Sequence, residues 1–219
     1  MNPAAVVRHG GLALLLALLT GCGSPADGDA SAAPAAAPAA ATPDTPRELE
    51  PLVVPDVPSG LPRVPDGALS PPAGEKWPED VAGYAEDAAR EREVLDDYGY
   101  RFGWERYWGS GSGPLTTVAA HQFETTEGAL AFTADLAAHE AEVYGGLLRE
   151  DPPDLPAGCR LLQLEEGAPA ARVAAPTAFA WCAQGAFSLA VTAVSGSVEA
   201  ATEEVVAVVA AQLERLPSS

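Results

Sequence analysis

A long stretch rich in Ala and Pro limits how much of this chain can fold. It runs from Gly23 to about Pro46 and continues as scattered prolines as far as Pro65. Such a composition buries too little apolar surface to offset the entropy lost when a chain becomes ordered. The sequence therefore predicts an extended, disordered tether over residues 22–66 and one globular domain over residues 67–219.

An export signal precedes this stretch. Arg8 lies near its start, an uncharged run of Gly, Ala and Leu follows from Gly11 to Leu19, and two small residues come next. The run is about half of the roughly 20 apolar residues that a membrane-spanning helix requires. This layout is typical of a secretory signal peptide, so residues 1–21 are predicted to be removed from the mature protein.

The signal ends in the motif Leu19-Thr20-Gly21-Cys22. All four positions resemble the lipobox of bacterial lipoproteins. The resemblance implies that the sulfur of Cys22 is acylated, with palmitate among the acyl chains, and that Cys22 becomes the first residue after cleavage. Several acyl chains would then anchor this lipoprotein to the extracytoplasmic face of the cell membrane. The alternative is an ordinary secreted protein with a cysteine at the cleavage boundary.

Two further cysteines, Cys159 and Cys182, lie in the predicted domain. An exported domain occupies an oxidising compartment, so the sequence predicts one disulfide bond between them. Two free buried thiols are the alternative. No metal site is predicted, because two cysteines without clustered histidines do not make a zinc site.

The chain is strongly acidic. Its 12 Lys and Arg residues face 31 Asp and Glu residues, a formal charge of -19, which becomes -20 when Arg8 leaves with the signal. Such a surface repels phosphate backbones and anionic headgroups, which argues against nucleic acid as a partner and leaves membrane contact to the lipid anchor. The chain has no Ile and a single lysine, Lys76, a bias typical of a GC-rich genome such as that of an actinobacterium.

Hydrophobic periodicity predicts the element order α-ββ-α-βββ-α. The predicted elements are a helix over about 79–96, strands over about 98–104 and 115–123, a helix that begins after Thr125 or Thr126, strands over about 159–165, 172–182 and 186–194, and a helix that begins after Ser197. This order describes an α+β fold, a single antiparallel sheet of about five strands with helices packed on it. In outline it is similar to small actinobacterial lipoprotein domains with a PsbP-like or Mog1-like sheet.

The sequence contains only partial matches to known catalytic motifs. His139-Glu140 begins like a zinc-protease motif, but Val143 occupies the position of the second histidine. His121 lies on a predicted strand, where a packed or rim position is favoured over a role as general base. The Gly-rich turn from Gly109 to Gly113 lacks the Lys-Ser or Lys-Thr of a phosphate loop. We therefore expect no catalytic residues, no cofactor and no enzymatic activity.

Aromatic residues concentrate in one predicted strand. Tyr98, Tyr100, Phe102 and Trp104 alternate with Gly99, Arg101 and Gly103, and Trp108 follows. Alternation predicts that the first four share one face, opposite a nearly bare face of glycines. The favoured interpretation is core packing. The alternative is an exposed platform that binds cell-wall glycan or a lipid, with these four residues and Trp108 as its contacts.

Two functional hypotheses follow. The first is a membrane-anchored, non-enzymatic binding module at the cell envelope, with an envelope protein, a cell-wall glycan or a lipid as its partner. The second is a carrier that holds a lipid or another apolar small molecule in a cavity between the sheet and its helices.

Overall fold

Seven strands among the described residues, all paired antiparallel, form one sheet. The computed structural model describes residues 42–109, 113–165 and 175–218. Its strands are β1 (Gly74–Lys76), β2 (Tyr100–Gly109), β3 (Leu115–Phe123), β4 (Arg149–Glu150), β5 (Arg160–Leu164), β6 (Thr177–Gln184) and β7 (Phe187–Val194). Their order across the sheet is β1-β2-β3-β7-β6-β5-β4, so β7 is central.

Five α-helices accompany the sheet in the described part of the chain. They are α1 (Pro46–Leu49), α2 (Pro78–Ala82), α3 (Ala88–Asp97), α4 (Thr126–Tyr144) and α5 (Val198–Leu213). The two long ones begin at capping side chains, since Thr125 accepts a hydrogen bond from the Gly128 amide and Ser197 from the Ala200 amide. The helix α4 ends at Gly145, whose left-handed backbone (φ 67°) suits glycine. No helix among the described residues is long and apolar enough to cross a membrane.

The α+β class and the single antiparallel sheet are confirmed, but the sheet has seven strands and not about five. The two additional strands, β1 and β4, are three and two residues long, too short for alternation to reveal. The predicted first helix is two helices, α2 and α3. The strand predicted to begin near Arg172 is described from Thr177 onwards, and residues 166–174 lie outside the described part.

Helices cover both faces of the sheet. Along β6, Ala178, Ala180 and Cys182 pack on one face while Phe179 and Trp181 pack on the other. We call the first the α5 face, because α5 contributes Val205, Val208 and Val209 to its core. We call the second the α4 face. Its core forms two clusters, one with Phe123 and Phe132 and one with Leu162 and Trp181.

Residues 45–61, which we call the N-terminal segment, pack on the α5 face. Leu49, Val53, Val54 and Val57 are buried in its core. The tether predicted for residues 22–66 is therefore wrong over residues 45–61, because these four apolar side chains supply burial that the Ala/Pro-rich composition alone does not predict. The signal peptide, Cys22 and the tether as far as residue 41 lie outside the described residues.

Side chains from the domain also bind the backbone of the N-terminal segment. Arg106 of β2 donates hydrogen bonds to the carbonyls of Val53 (2.7 Å), Val54 (2.9 Å) and Glu50 (3.2 Å). Gln212 of α5 accepts a bond from the Val54 amide and donates one to the Leu52 carbonyl, both at 2.9 Å. These bonds satisfy backbone groups that the segment cannot pair in a helix or strand of its own.

A bulge in β2 changes which of its side chains share a face, so the predicted alternation does not hold along the whole strand. The pairing between β2 and β3 shifts by one residue between Tyr100 and Phe102. One extra residue changes the phase of a strand, so Tyr100 joins the α4 face while Phe102 and Trp104 face α5. The predicted single aromatic face is therefore wrong at this point.

The glycine face of β2 is not bare either. A Cβ atom on Gly103 would lie 2.5 Å from Nδ1 of His121 and 2.9 Å from the hydroxyl of Tyr100. Glycine is required here because two side chains of the α4 face occupy the space beside its backbone.

The predicted disulfide bond between Cys159 and Cys182 is confirmed, with Cα atoms 4.3 Å apart. It joins the residue before β5 to β6 and lies within the core of the α5 face.

Candidate functional site

The aromatic residues proposed as ligand contacts lie inside the fold. Tyr100, Phe102, Trp104 and Trp108 are all at most 6% exposed. Tyr98 is partly buried between α3 and α4, where its hydroxyl donates a 2.5 Å hydrogen bond to Asp135. Burial, and then this bond, raise the pKa of Tyr98 to about 12. These five residues therefore do not form an exposed platform in the structure.

A buried cluster of titratable groups lies on the α4 face, where the edge strand β1 meets β2. The ammonium of Lys76 lies 3.3 Å from Oε2 of Glu105, and both side chains are buried. Lys76 also donates a hydrogen bond to the Pro72 carbonyl. The hydroxyl of Tyr84 donates to the Glu105 carboxylate at 3.2 Å, and its half-exposed ring covers the pair. We call these groups the Lys76–Glu105 network.

A second pair adjoins this network. The Tyr100 hydroxyl lies 3.1 Å from Nδ1 of His121 and 3.5 Å from the Lys76 carbonyl. Burial, and then the charge of Lys76, lower the pKa of His121 to about 4, so the imidazole is neutral at pH 7. Burial also raises the pKa of Glu105, an effect that Lys76 opposes. The packed position expected for His121 agrees with its burial.

The Lys76–Glu105 network is internally complete. Its cation, its carboxylate and its hydroxyl groups all have partners within hydrogen-bond or ion-pair distance. Such a cluster fastens the three-residue strand β1 to the sheet, and its two charges are paired with each other. Sequence reasoning missed Lys76 and Glu105, because a three-residue strand gives no alternation and Glu105 lies beyond the bulge that changes the phase of β2.

A groove opens on the opposite face, between the N-terminal segment, the end of β7 and the first half of α5. Its volume is about 410 Å³. Its wall is mostly apolar and includes Pro58, Leu61, Pro114, Val194, Ala200 and Ala207. Two acids also line it, Glu203 and Glu204, of which Glu203 is exposed and Glu204 is buried. We call this the Glu204 groove.

Three donors hold the Glu204 carboxylate. Its Oε2 accepts a hydrogen bond from the Ser59 amide at 2.9 Å. Its Oε1 accepts one from the Ser59 hydroxyl at 2.6 Å and one from the Thr116 hydroxyl at 3.0 Å. Within the described ranges, no Lys, Arg or His nitrogen lies within ion-pair distance of Glu204. The carboxylate is thus fixed in place by neutral groups alone.

The position of Glu204 follows from helical periodicity. Ala201, Val205 and Val208 of α5 face the sheet, and Glu204 lies three residues after the first and four before the last. The sequence did contain a sign of this site, because Glu204 is an acid at a core-facing position of the apolar stripe of α5. Sequence reasoning missed it because it treated the acidic residues only as solvated surface.

Other candidates give no site. His139 lies on α4 beside the cleft between α3 and α4, and Val143 lies one turn further along the helix. In the ranges that the structure describes, no group of three or more His, Cys, Asp or Glu side chains could hold a metal ion.

Comparisons with known proteins add one structural neighbour. No family model matches the chain, and no curated protein matches it. Among solved structures, the chain is similar to the extracellular domain of PknH from Mycobacterium tuberculosis. The two share 14% sequence identity over 66% of this chain and 77% of that chain, with a TM-score of 0.41. These comparisons place the chain in no family.

Proposed function

We propose that this protein is a non-enzymatic binding module, held by acylated Cys22 on the extracytoplasmic face of a bacterial cell membrane, whose ligand binds in the Glu204 groove. The observation that carries the proposal is the groove itself. It combines a mostly apolar wall with one buried carboxylate that three hydrogen bonds hold in place. Such a combination is typical of ligand sites, in which a few fixed polar groups orient a mainly apolar contact.

A comparison of the Glu204 groove with the Lys76–Glu105 network favours a binding function over a catalytic one. His121 and Glu105, two of the groups with shifted pKa values, lie in the pair beside this network and in the network itself, and both are buried. In the groove, the neighbours of Glu204 are an amide and two hydroxyls, which hold a carboxylate and do not exchange protons with it at neutral pH.

The packing of the sheet favours a surface site over the carrier hypothesis. Side chains fill the α5 face with one cluster and the α4 face with two. A lipid carrier requires a cavity of several hundred Å³ between sheet and helices. The described residues place core side chains between the middle of the sheet and its helices, and the Glu204 groove opens at the end of β7.

Two observations support the extracytoplasmic location. The disulfide bond between Cys159 and Cys182 is the kind of bond that persists in oxidising compartments. The lipobox-like motif that ends at Cys22 supplies the anchor.

Filling the groove tests the binding site. Ala200→Leu places an apolar side chain in the groove without removing any hydrogen bond of Glu204, and Ala210→Leu is the matched control on an exposed part of α5 outside it. Fragments of neutral, anionic and cationic classes are screened by saturation-transfer NMR against the chain from residue 22 with Cys22→Ser. We expect fragment signals that Ala200→Leu abolishes and Ala210→Leu retains. If no fragment of any class shows this dependence, the groove is not the binding site.

Membrane fractionation tests the anchor. We expect Cys22→Ser to prevent acylation and to release the protein from the membrane fraction, with the corresponding loss of lipid mass. If the variant stays membrane-bound with an unchanged mass, the anchor is not at Cys22.

A further inference from the structure

We infer that the ligand of the Glu204 groove is a small organic cation, an ammonium group on an apolar stem. This inference rests on the proposed function and specifies the chemistry of the same groove. It follows from three properties of the site, which are its charge, its unused hydrogen-bonding capacity and its walls.

The groove is negatively charged and holds no cation of its own. Glu204 is only 9% exposed, and its three partners are all neutral. Burying a carboxylate without a cation is costly, and an incoming positive charge recovers part of that cost. Exposed Glu203 lines the same groove, so an anionic ligand would meet two negative charges there.

The carboxylate can accept one more hydrogen bond. An ionised carboxylate has about four acceptor positions. The N-terminal segment and β3 use three of those on Glu204, two on Oε1 and one on Oε2. The remaining position, on Oε2, suits an N–H donor, and a charged donor makes the stronger bond.

The walls suit an apolar stem. Pro58, Leu61, Val194 and Ala207 line the groove beside the two acids. A volume of about 410 Å³ falls within the range of sites that hold small organic molecules. A bare metal ion would leave these walls uncovered, whereas an alkylammonium covers them while its head reaches Glu204.

A purely structural role for Glu204 also explains its three bonds, since two of them fasten Ser59 to α5 and the third fastens Thr116 of β3 to it. That role predicts no preference between ligands of different charge. A charge series on the unaltered groove therefore separates the two explanations and depends on no variant that could fail to fold.

The series uses n-hexylammonium, hexan-1-ol and hexanoate, titrated by calorimetry into the chain from residue 22 with Cys22→Ser. We expect n-hexylammonium to bind about tenfold more tightly than hexan-1-ol, which is the usual difference between a charged and a neutral hydrogen bond. Hexanoate should bind more weakly than either. Equal binding of the alcohol, preferred binding of hexanoate, or no measurable binding of the ammonium overturns the inference.

A variant pair assigns the preference to Glu204. Glu204→Gln should lower the affinity for n-hexylammonium about tenfold and change that for hexan-1-ol by less than about twofold. Glu214→Gln removes the same charge from an exposed position outside the groove and should change neither. If Glu214→Gln reduces binding as much as Glu204→Gln, the preference comes from net charge and the inference is wrong. If Ala200→Leu still abolishes binding of the alcohol, the proposed function survives that failure.

Discussion

Two buried carboxylates on opposite faces of one sheet show how differently the same group can be used. Glu105 is 7% exposed and Glu204 is 9% exposed, so burial does not distinguish them. Their partners do, because Glu105 faces the ammonium of Lys76 whereas Glu204 faces only an amide and two hydroxyls. A buried acid with its own cation is closed to ligands, and one held by neutral donors beside an open groove is not.

The largest expected effect comes from breaking the Lys76–Glu105 network. Lys76→Met leaves the Glu105 carboxylate buried without its cation, and the loss in the free energy of unfolding should be about 3–5 kcal/mol. Denaturant unfolding at pH 7 measures it. The double variant Lys76→Met, Glu105→Leu should recover most of the loss, because an apolar pair leaves no buried charge. A loss under about 1 kcal/mol for the single variant would show that the pair is not buried in solution.

The second prediction concerns acid and the histidine beside this network. The pKa of His121 is about 4 in the folded protein and about 6.5 in an unfolded chain, so the unfolded state takes up its proton first as the pH falls. Stability should therefore fall as the pH drops from about 6.5 to about 4, by on the order of 3 kcal/mol. The raised pKa of Glu105 acts in the opposite direction, since it favours the folded state as that carboxylate takes up its proton.

The contribution of His121 is isolated by comparing thermal melts of the unaltered protein and His121→Asn across this pH range. The asparagine oxygen replaces Nδ1 as partner of the Tyr100 hydroxyl but does not titrate. His139→Asn, at an exposed position, is the control and should retain the full pH dependence. Identical pH profiles for the unaltered protein and His121→Asn would rule out a neutral, buried His121.

The third prediction concerns the second buried carboxylate, that of Glu204. Glu204→Gln should cost only about 1 kcal/mol. The two groups that donate to Oε1 are hydroxyls, which can turn and accept from an amide nitrogen, while the amide oxygen still accepts from the Ser59 amide. The same change at Glu105 should cost more, because a neutral amide leaves the buried Lys76 ammonium without its counter-charge. Equal losses in denaturant unfolding would remove the distinction between the two sites.

The smallest expected effect comes from removing one hydroxyl group from the Lys76–Glu105 network. Tyr84→Phe deletes a hydrogen bond to Glu105 and should cost about 0.5–1 kcal/mol, because Lys76 still holds the carboxylate. Differential scanning calorimetry of this variant beside the unaltered protein measures the change. A loss comparable to that of Lys76→Met would mean that the tyrosine, and not the lysine, keeps the carboxylate in place.

Hydrophobic periodicity predicted the helices and strands that are long enough to show a repeating apolar pattern. The helices α4 and α5 and the strands β3, β5 and β7 follow from their apolar spacing, and the disulfide bond follows from the cysteine count and the predicted compartment. The split of the first helix, the strands β1 and β4 and the bulge in β2 did not follow, because each depends on a few residues and on tertiary pairing.

The N-terminal segment and the Glu204 groove were missed for a related reason. The segment is poor in periodic pattern and rich in proline. Its order comes from burial on the α5 face and from bonds to Arg106 and Gln212, which lie far along the chain. The groove forms only where that segment, β7 and α5 meet. Neither relation is visible in a local window of sequence.

The attachment of the N-terminal segment has a mechanical consequence. A force that pulls on the chain from its N-terminal side reaches this segment before it reaches any strand of the sheet. Within the segment, the load reaches the backbone bonds that Arg106 and Gln212 hold. Pro58, Ser59 and Leu61 form part of the groove wall, so peeling the segment away dismantles that wall. Tension on one end of the fold is thereby coupled to the integrity of the groove.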